Sequence, residues 1–198
     1  MPTTLTREAI LEAARRALAR YGPRKTSLAD IAEPLGVSKP ALYYHFPGGK
    51  REILEAVLEA EGEAVLEAMR AAVAAEDDPR RQLRAAVLAK VRHVRGRREV
   101  LELGEGVTRE LRALWETHEW RFKQGERRLL AEILARGQET GVFRAAPRER
   151  LARAIQSGLA DLVAGCLEEP GRDPEAAVDE MLDVLFYGIV RREAEAGP

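Results

Sequence analysis

Between positions 38 and 45 the sequence SKPALYYH brings together a hydroxyl, an ammonium, two phenols and an imidazole. Such groups donate and accept hydrogen bonds. No nucleophile with a base and an orienting carboxylate stands near His45, so the set suits recognition of a polar surface rather than bond-making. Aromatic residues make up only 5% of the chain, yet Tyr43, Tyr44 and Phe46 flank His45 without a gap. On a helix these side chains point in all directions around the axis, so one small core cannot hide them all. Some must face a partner.

The remaining chemistry-bearing residues form no catalytic or metal constellation. His45, His93 and His118 are scattered, without metal-ligand spacing. Cys166 is the only cysteine, which excludes an intramolecular disulfide and most cysteine-based zinc sites and fits a reduced, cytoplasmic setting. There is no phosphate-binding loop, so the expectation is a protein that is not an enzyme and holds no metal or cofactor.

Helices must position the 38–45 cluster. Ala, Leu, Glu and Arg dominate and β-branched residues are sparse, which predicts an all-α fold. Thr6 caps a first segment carrying Ile10, Leu11, Ala14, Ala17 and Leu18 at helical spacing, stopped by Gly22 and Pro23. Thr26 and Ser27 are candidate caps for a second helix with the stripe Leu28, Ile31, Ala32 and Leu35, ended by Gly36. Ser38 then opens a short third helix with Pro40 in its first turn, where a missing N–H costs little. Two short helices joined by a tight turn have the form of a helix-turn-helix. Leu42 and Phe46, at i and i+4, face inward with Val37, and Pro40, Tyr43 and Tyr44 lie on the other side, a surface suited to a DNA major groove. Helical patterns continue over 49–75, 79–95, 97–103, 108–137, 147–167 and 174–192.

At 198 residues, 45% hydrophobic and 33% charged, the chain is long enough for a packed core. No stretch approaches the roughly 20 apolar residues of a membrane span, and charged residues interrupt any signal-peptide pattern at the start. The net charge is −1, but residues 1–50 hold eight basic against four acidic side chains and the remainder 24 against 29. A basic head on an acidic body suggests local contact with a polyanion.

The run TSLADIAEPLGVSKPALYYHF, 26–46, with its Thr, IA, GVS, LY and HF, resembles the DNA-binding signature of the TetR family of bacterial transcriptional regulators. The resemblance implies a cytoplasmic homodimer that binds a double-stranded operator and acts as a repressor released by a small-molecule effector. It implies a helix-turn-helix DNA-binding domain over 1–48 and a helical effector-binding and dimerisation domain over 49–198. Carried over by position, Lys39 and Ala41 read bases, Pro40 lies on the groove-facing side, and Tyr43, Tyr44 and His45 contact phosphates or sugars. Lys39 can donate to guanine and the Ala41 methyl can touch a thymine methyl. Thr26, Ser27 and Ser38 open helices whose N–H groups favour phosphate. Lys50 is the family's following lysine, but FPGGK carries one residue more than the usual pattern, which turns it by about 100° around the axis. Pro34, in the last turn of the second helix, removes a backbone bond.

In the body, Trp115, His118 and Phe122 follow one helical stripe and form a candidate effector pocket of apolar walls with one polar group. The basic run RHVRGRR, 92–98, could take the anionic part of an acyl thioester of coenzyme A or an aromatic acid. On the last two helices Leu151, Ile155, Leu159, Leu162, Met181, Leu185, Phe186 and Ile189 are apolar, and the resemblance implies that this helix pair meets its two-fold mate. Two rival readings use the same residues: a DNA-binding regulator with no small-molecule switch, constitutive or governed by a protein partner, and a helical enzyme that has acquired a DNA-binding head.

Overall fold

The structure, a computed structural model, describes the backbone of residues 5–96, 109–169 and 171–189, and the side chains of these residues except 109–117, 188 and 189. Eight α-helices and no strand occur among the described residues: α1 Arg7–Lys25, α2 Leu28–Ala32, α3 Lys39–His45, α4 Gly49–Ala74, α5 Pro79–Gly96, α6 Arg109–Glu139, α7 Arg148–Glu168 and α8 Pro174–Ile189. The all-α expectation holds. The helix expected over 97–103 lies outside the described residues.

Thr6 caps α1 through its hydroxyl, which accepts the Ala9 N–H at 3.2 Å. Gly22 leaves the helical region at φ 72°, so the expected stop acts as a kink ahead of the last turn. Pro34 has the predicted consequence in a specific form. It cannot donate to the α-helical ladder, and the chain tightens into a 3-10 turn over Glu33–Leu35 before Gly36.

Residue contacts divide the chain into two compact units, one of Met1–Glu63 with Arg97–Trp120, the other of Ala64–Gly96 with Arg121–Pro198. In the first, Ile10, Ala14 and Leu18 of α1, Ile31 of α2, Leu42 of α3 with Phe46, and Ile53 and Val57 of α4 form one buried cluster. Each large side chain so buried is worth about 1.5–3 kcal/mol. Arg15 of α1 adds an ion pair to the buried Glu61 of α4 at 2.5 Å. The segment FPGGK makes the turn into α4. Gly49 takes φ 62°, its N–H donates to the Phe46 carbonyl at 2.8 Å, and the Gly48 N–H donates to the Glu52 carboxylate at 2.7 Å.

The second unit packs the later part of α4 with α5, α6, α7 and α8 around Met69, Leu83, Val87, Val91, Leu130, Leu134, Leu159 and Val178. Gly137, expected to end its helix, lies inside α6 instead: a Cβ there would sit 2.0 Å from the Phe143 ring, so this glycine admits a packed aromatic. A polar chain crosses this core. Lys90 of α5 donates to Glu126 of α6 at 2.5 Å, and Gln156 of α7 donates to the same carboxylate at 2.8 Å and to the Lys123 carbonyl at 2.7 Å. Arg127 donates to the Gln156 side-chain oxygen at 2.9 Å. Lys90, Glu126 and Gln156 are all buried, so the network is satisfied within the protein.

Removing one partner of this pair leaves a charge stranded. Lys90→Ala is expected to lower the unfolding free energy by about 3–5 kcal/mol, and Lys90→Met combined with Glu126→Leu to recover most of the loss; a denaturant midpoint unmoved by Lys90→Ala would contradict the buried pairing. Gly49→Ala is expected to cost about 1–2 kcal/mol, because a left-handed residue gains a Cβ that also meets Tyr43 Cε1 at 3.0 Å. Its thermal melt checks this, and an unchanged melting temperature would show that the turn is not formed as described.

Candidate nucleic-acid interface

The local chemistry of α3 follows from its first and last residues. Ser38 is extended at φ −82° and ψ 155° and occupies the N-cap, with Pro in the first turn, as the sequence predicts. Its hydroxyl makes no capping hydrogen bond. Leu42 and the following Phe46 are fully enclosed by the first unit's core, and this fixes the rotation of the helix. The side chains on the opposite side are therefore displayed: Tyr43 is 49% and Tyr44 86% exposed, and Ser38, Lys39 and Pro40 are exposed beside them. Ala41 and His45 are partly buried. The Tyr44 ring meets the His45 ring edge-on, centroids 5.4 Å apart at 85°. Two phenols, an ammonium and a hydroxyl are thus exposed together, with no acidic residue of α3 among them.

Of the two candidate caps of α2, Ser27 serves and Thr26 does not. Ser27 caps α2 in a reciprocal box: its hydroxyl and its N–H donate to the Asp30 carboxylate at 2.6 and 2.7 Å, and the Asp30 N–H donates back to the hydroxyl at 3.3 Å. These bonds, the Ser27 hydroxyl foremost, hold the Asp30 carboxyl below the usual carboxylate range, with Lys39's charge a smaller contributor. Ser27 remains exposed. Thr26 departs from its expected place. It is buried, its N–H donates to the Gly22 carbonyl at 3.1 Å, and its hydroxyl lies 2.8 Å from the same oxygen and 3.2 Å from the Ala17 carbonyl. Thr26 closes the end of α1, because the kink at Gly22 leaves carbonyls there that need donors.

Lys50 donates to the Arg24 carbonyl at 3.4 Å, in the last turn of α1, where a cation is favoured. Partial burial lowers the Lys50 pKa, against the opposing charge of Asp30.

The expected effector residues fall in separate units. His118 is partly buried in the first. Phe122, partly buried, packs against the second unit's core with the Lys90 Nζ 5.1 Å from its ring centroid. The side chain of Trp115 lies outside the described residues. Of the basic run, Arg92 pairs with Glu175 and Arg95 donates to the Arg172 carbonyl at 3.3 Å, so both already serve contacts within the fold; Arg97 and Arg98 lie outside the described residues.

Of the residues expected at the dimer on the last two helices, three are enclosed in the chain's own core. Ile155, Leu159 and Leu162 are buried in their own unit's core, and Leu151, Met181, Leu185 and Phe186 pack partly buried against it. The side chain of Ile189 lies outside the described residues. The single apolar stripe of α7 is consumed inside the unit, whereas α8 is apolar on two sides and presents Val184, 77% exposed, and Tyr187, 82% exposed. An apolar residue pair at i and i+3 on the side away from Val178 and Leu182 is the signal in the sequence that points to them.

The comparisons with known proteins agree with this geometry. A profile described as "Bacterial regulatory proteins, tetR family" matches residues 10–57, which span α1 to the first turns of α4. A stretch of 54 residues, 27% of this chain, is 48% identical to the HTH-type transcriptional regulator TtgR of Pseudomonas putida. The match spans about a quarter of that relative's length, 25%. The fold is shared with SmeT, the repressor of the Stenotrophomonas maltophilia multidrug efflux pump SmeDEF, at a TM-score of 0.76 and 21% identity over 100% of this chain and 97% of that one. PfmR from Thermus thermophilus, a TetR family transcriptional regulator, is 30% identical with a TM-score of 0.63, over 98% of this chain and 100% of that one. Since the likeness extends over both chains from end to end and includes the helix-turn-helix that displays Lys39, Tyr43 and Tyr44, this chain belongs to the TetR family of bacterial transcriptional regulators.

Proposed function

We propose that the chain is a cytoplasmic, homodimeric repressor that binds a specific DNA operator through α3 and is released from it by a small-molecule effector. The observation that carries this reading is the outer face of α3, where Lys39, Pro40, Tyr43 and Tyr44 stand exposed over the enclosed Leu42 and Phe46. Its shape and chemistry suit the major groove: Lys39 and Ala41 toward base edges, and Ser27, Ser38, Tyr43, Tyr44 and His45 toward phosphates and sugars. In this reading residues 1–48 are the DNA-binding domain, closed by the first turns of α4, and residues 49–198 bind effector and partner.

Support for an effector with an apolar body comes from fold relatives: SmeT is known in complex with triclosan, and FadR from Bacillus subtilis in complex with stearoyl-CoA. Within this chain the half-buried Phe122 ring, packed against the second unit's core, offers an apolar wall for such a body. A hundredfold loss of operator affinity needs about 2.7 kcal/mol of coupling, which the effector supplies by binding the released conformation more tightly. For the dimer, Val184 and Tyr187 on α8, with the exposed Ala160 and Ala164 on α7, are the surface that a two-fold mate would cover.

Selection of bound duplexes from random DNA tests the central reading, and a chain that enriches no sequence contradicts it. Lys39→Ala is expected to cost about 1–3 kcal/mol on the enriched duplex and little on a scrambled one; equal losses on both would remove Lys39 as a base reader. Val184→Glu with Tyr187→Glu is expected to yield a folded monomer by sedimentation, and retention of the dimer would place the interface elsewhere. A metabolite panel that includes acyl thioesters is expected to contain a compound that raises the melting temperature and weakens operator binding. Binding of DNA unaltered by any compound would favour a regulator without a small-molecule switch.

A further inference from the structure

Arg7 is the first residue of α1, where the positive end of the helix disfavours a cation. Its guanidinium reaches instead to the far end of α3. Nη1 donates to the His45 carbonyl at 2.5 Å, and the guanidinium carbon sits 4.0 Å from the centroid of the buried Phe46 ring. The same Nη1 lies 3.9 Å from Glu52, whose other oxygen accepts the Gly48 N–H that opens α4. One side chain therefore touches the start of α1, the end of α3 and the turn into α4.

The last carbonyls of a helix have no partners within it, and a helix as short as α3 has few internal bonds with which to hold its direction. Leu42 and Phe46 set its rotation by non-directional burial. The Arg7 contact adds what burial lacks: a directional, charge-assisted bond at the negative end of α3, with the guanidinium plane located by a buried aromatic ring.

We infer that Arg7 is a positioning residue for DNA reading: it fixes the aim of α3 through the His45 carbonyl and the Phe46 ring without itself reading bases. This rests on the proposed function, since a site built for sequence recognition must be held to fractions of an ångström by the groups behind it. Removing the contact should then degrade fit to the selected duplex and leave the nonspecific attraction to phosphates unchanged.

The experiment uses the full chain, the duplex that the wild-type protein enriches from random DNA, and a scrambled duplex, with affinities measured by fluorescence anisotropy between about 50 and 200 mM salt, a range chosen because phosphate contacts weaken steeply across it. For Arg7→Ala the expected result is about a tenfold loss on the enriched duplex, less than about twofold on the scrambled one, and an unchanged slope of log affinity against log salt. Arg7→Lys, which restores a cation but not the planar fork, is expected to show a smaller loss confined to the enriched duplex. Equal losses on both duplexes with a slope reduced by about one would make Arg7 a phosphate contact and overturn the inference. So would wild-type affinity of Arg7→Ala for the enriched duplex. Should Arg7→Ala lose its helical circular dichroism, the Arg7→Lys comparison decides alone: a selective loss supports positioning, and a wild-type ratio of the two affinities overturns it. A wild-type protein that enriches no duplex defeats the proposed function itself, a separate outcome from a wild-type protein that selects DNA and an Arg7 variant that selects it equally well.

Discussion

Two apolar side chains four residues apart, Leu42 and Phe46, are drawn into a cluster with Ile10, Ile31 and Ile53, and the exposure of α3's other residues follows from that burial. Burying this pair is worth about 3–6 kcal/mol in water-to-core transfer, far more than the preference of any single phenol for one side or the other. The helix cannot rotate without exposing one of the two. Tyr43 and Tyr44 are displayed because their neighbours are claimed by the core. Ser38, Lys39 and Pro40 are exposed because they stand at the leading end of the helix, ahead of its buried turn.

Much of this arrangement is legible in the sequence because it depends on local rules. The stripe Leu28, Ile31, Ala32 and Leu35, the Ser38 cap, the early Pro40 and the i, i+4 spacing of Leu42 and Phe46 act within one or two helical turns. Thr26 misleads because a hydroxyl ahead of a helix reads as a cap, whereas here the kink at Gly22 requires donors on the other side of the residue. Ile155, Leu159 and Leu162 read as interface residues because one apolar stripe looks the same whether its partner is its own chain or a second copy. Val184 and Tyr187 on α8 are the apolar side chains there that stay exposed. The contact between Arg7 and the His45 carbonyl, far apart in sequence, has no periodic signature and emerges from the tertiary fold alone.

The second unit follows another logic. Its core encloses Lys90, Glu126 and Gln156, one from each of three helices, in a hydrogen-bonded chain that an apolar core would not need. Such a network contributes little net stability but penalises any packing of α5, α6 and α7 that separates its members. The head, by contrast, is closed by short caps and a glycine turn.

The most direct measurement of the orientation of α3 is tyrosine nitration read by mass spectrometry, with and without saturating selected duplex. Tyr44 should be among the most reactive phenols in the free protein, and the duplex should protect Tyr44 and Tyr43 while leaving the exposed Tyr21 on α1 as reactive as before. Equal reactivity of Tyr44 in the free and DNA-bound protein would contradict the account.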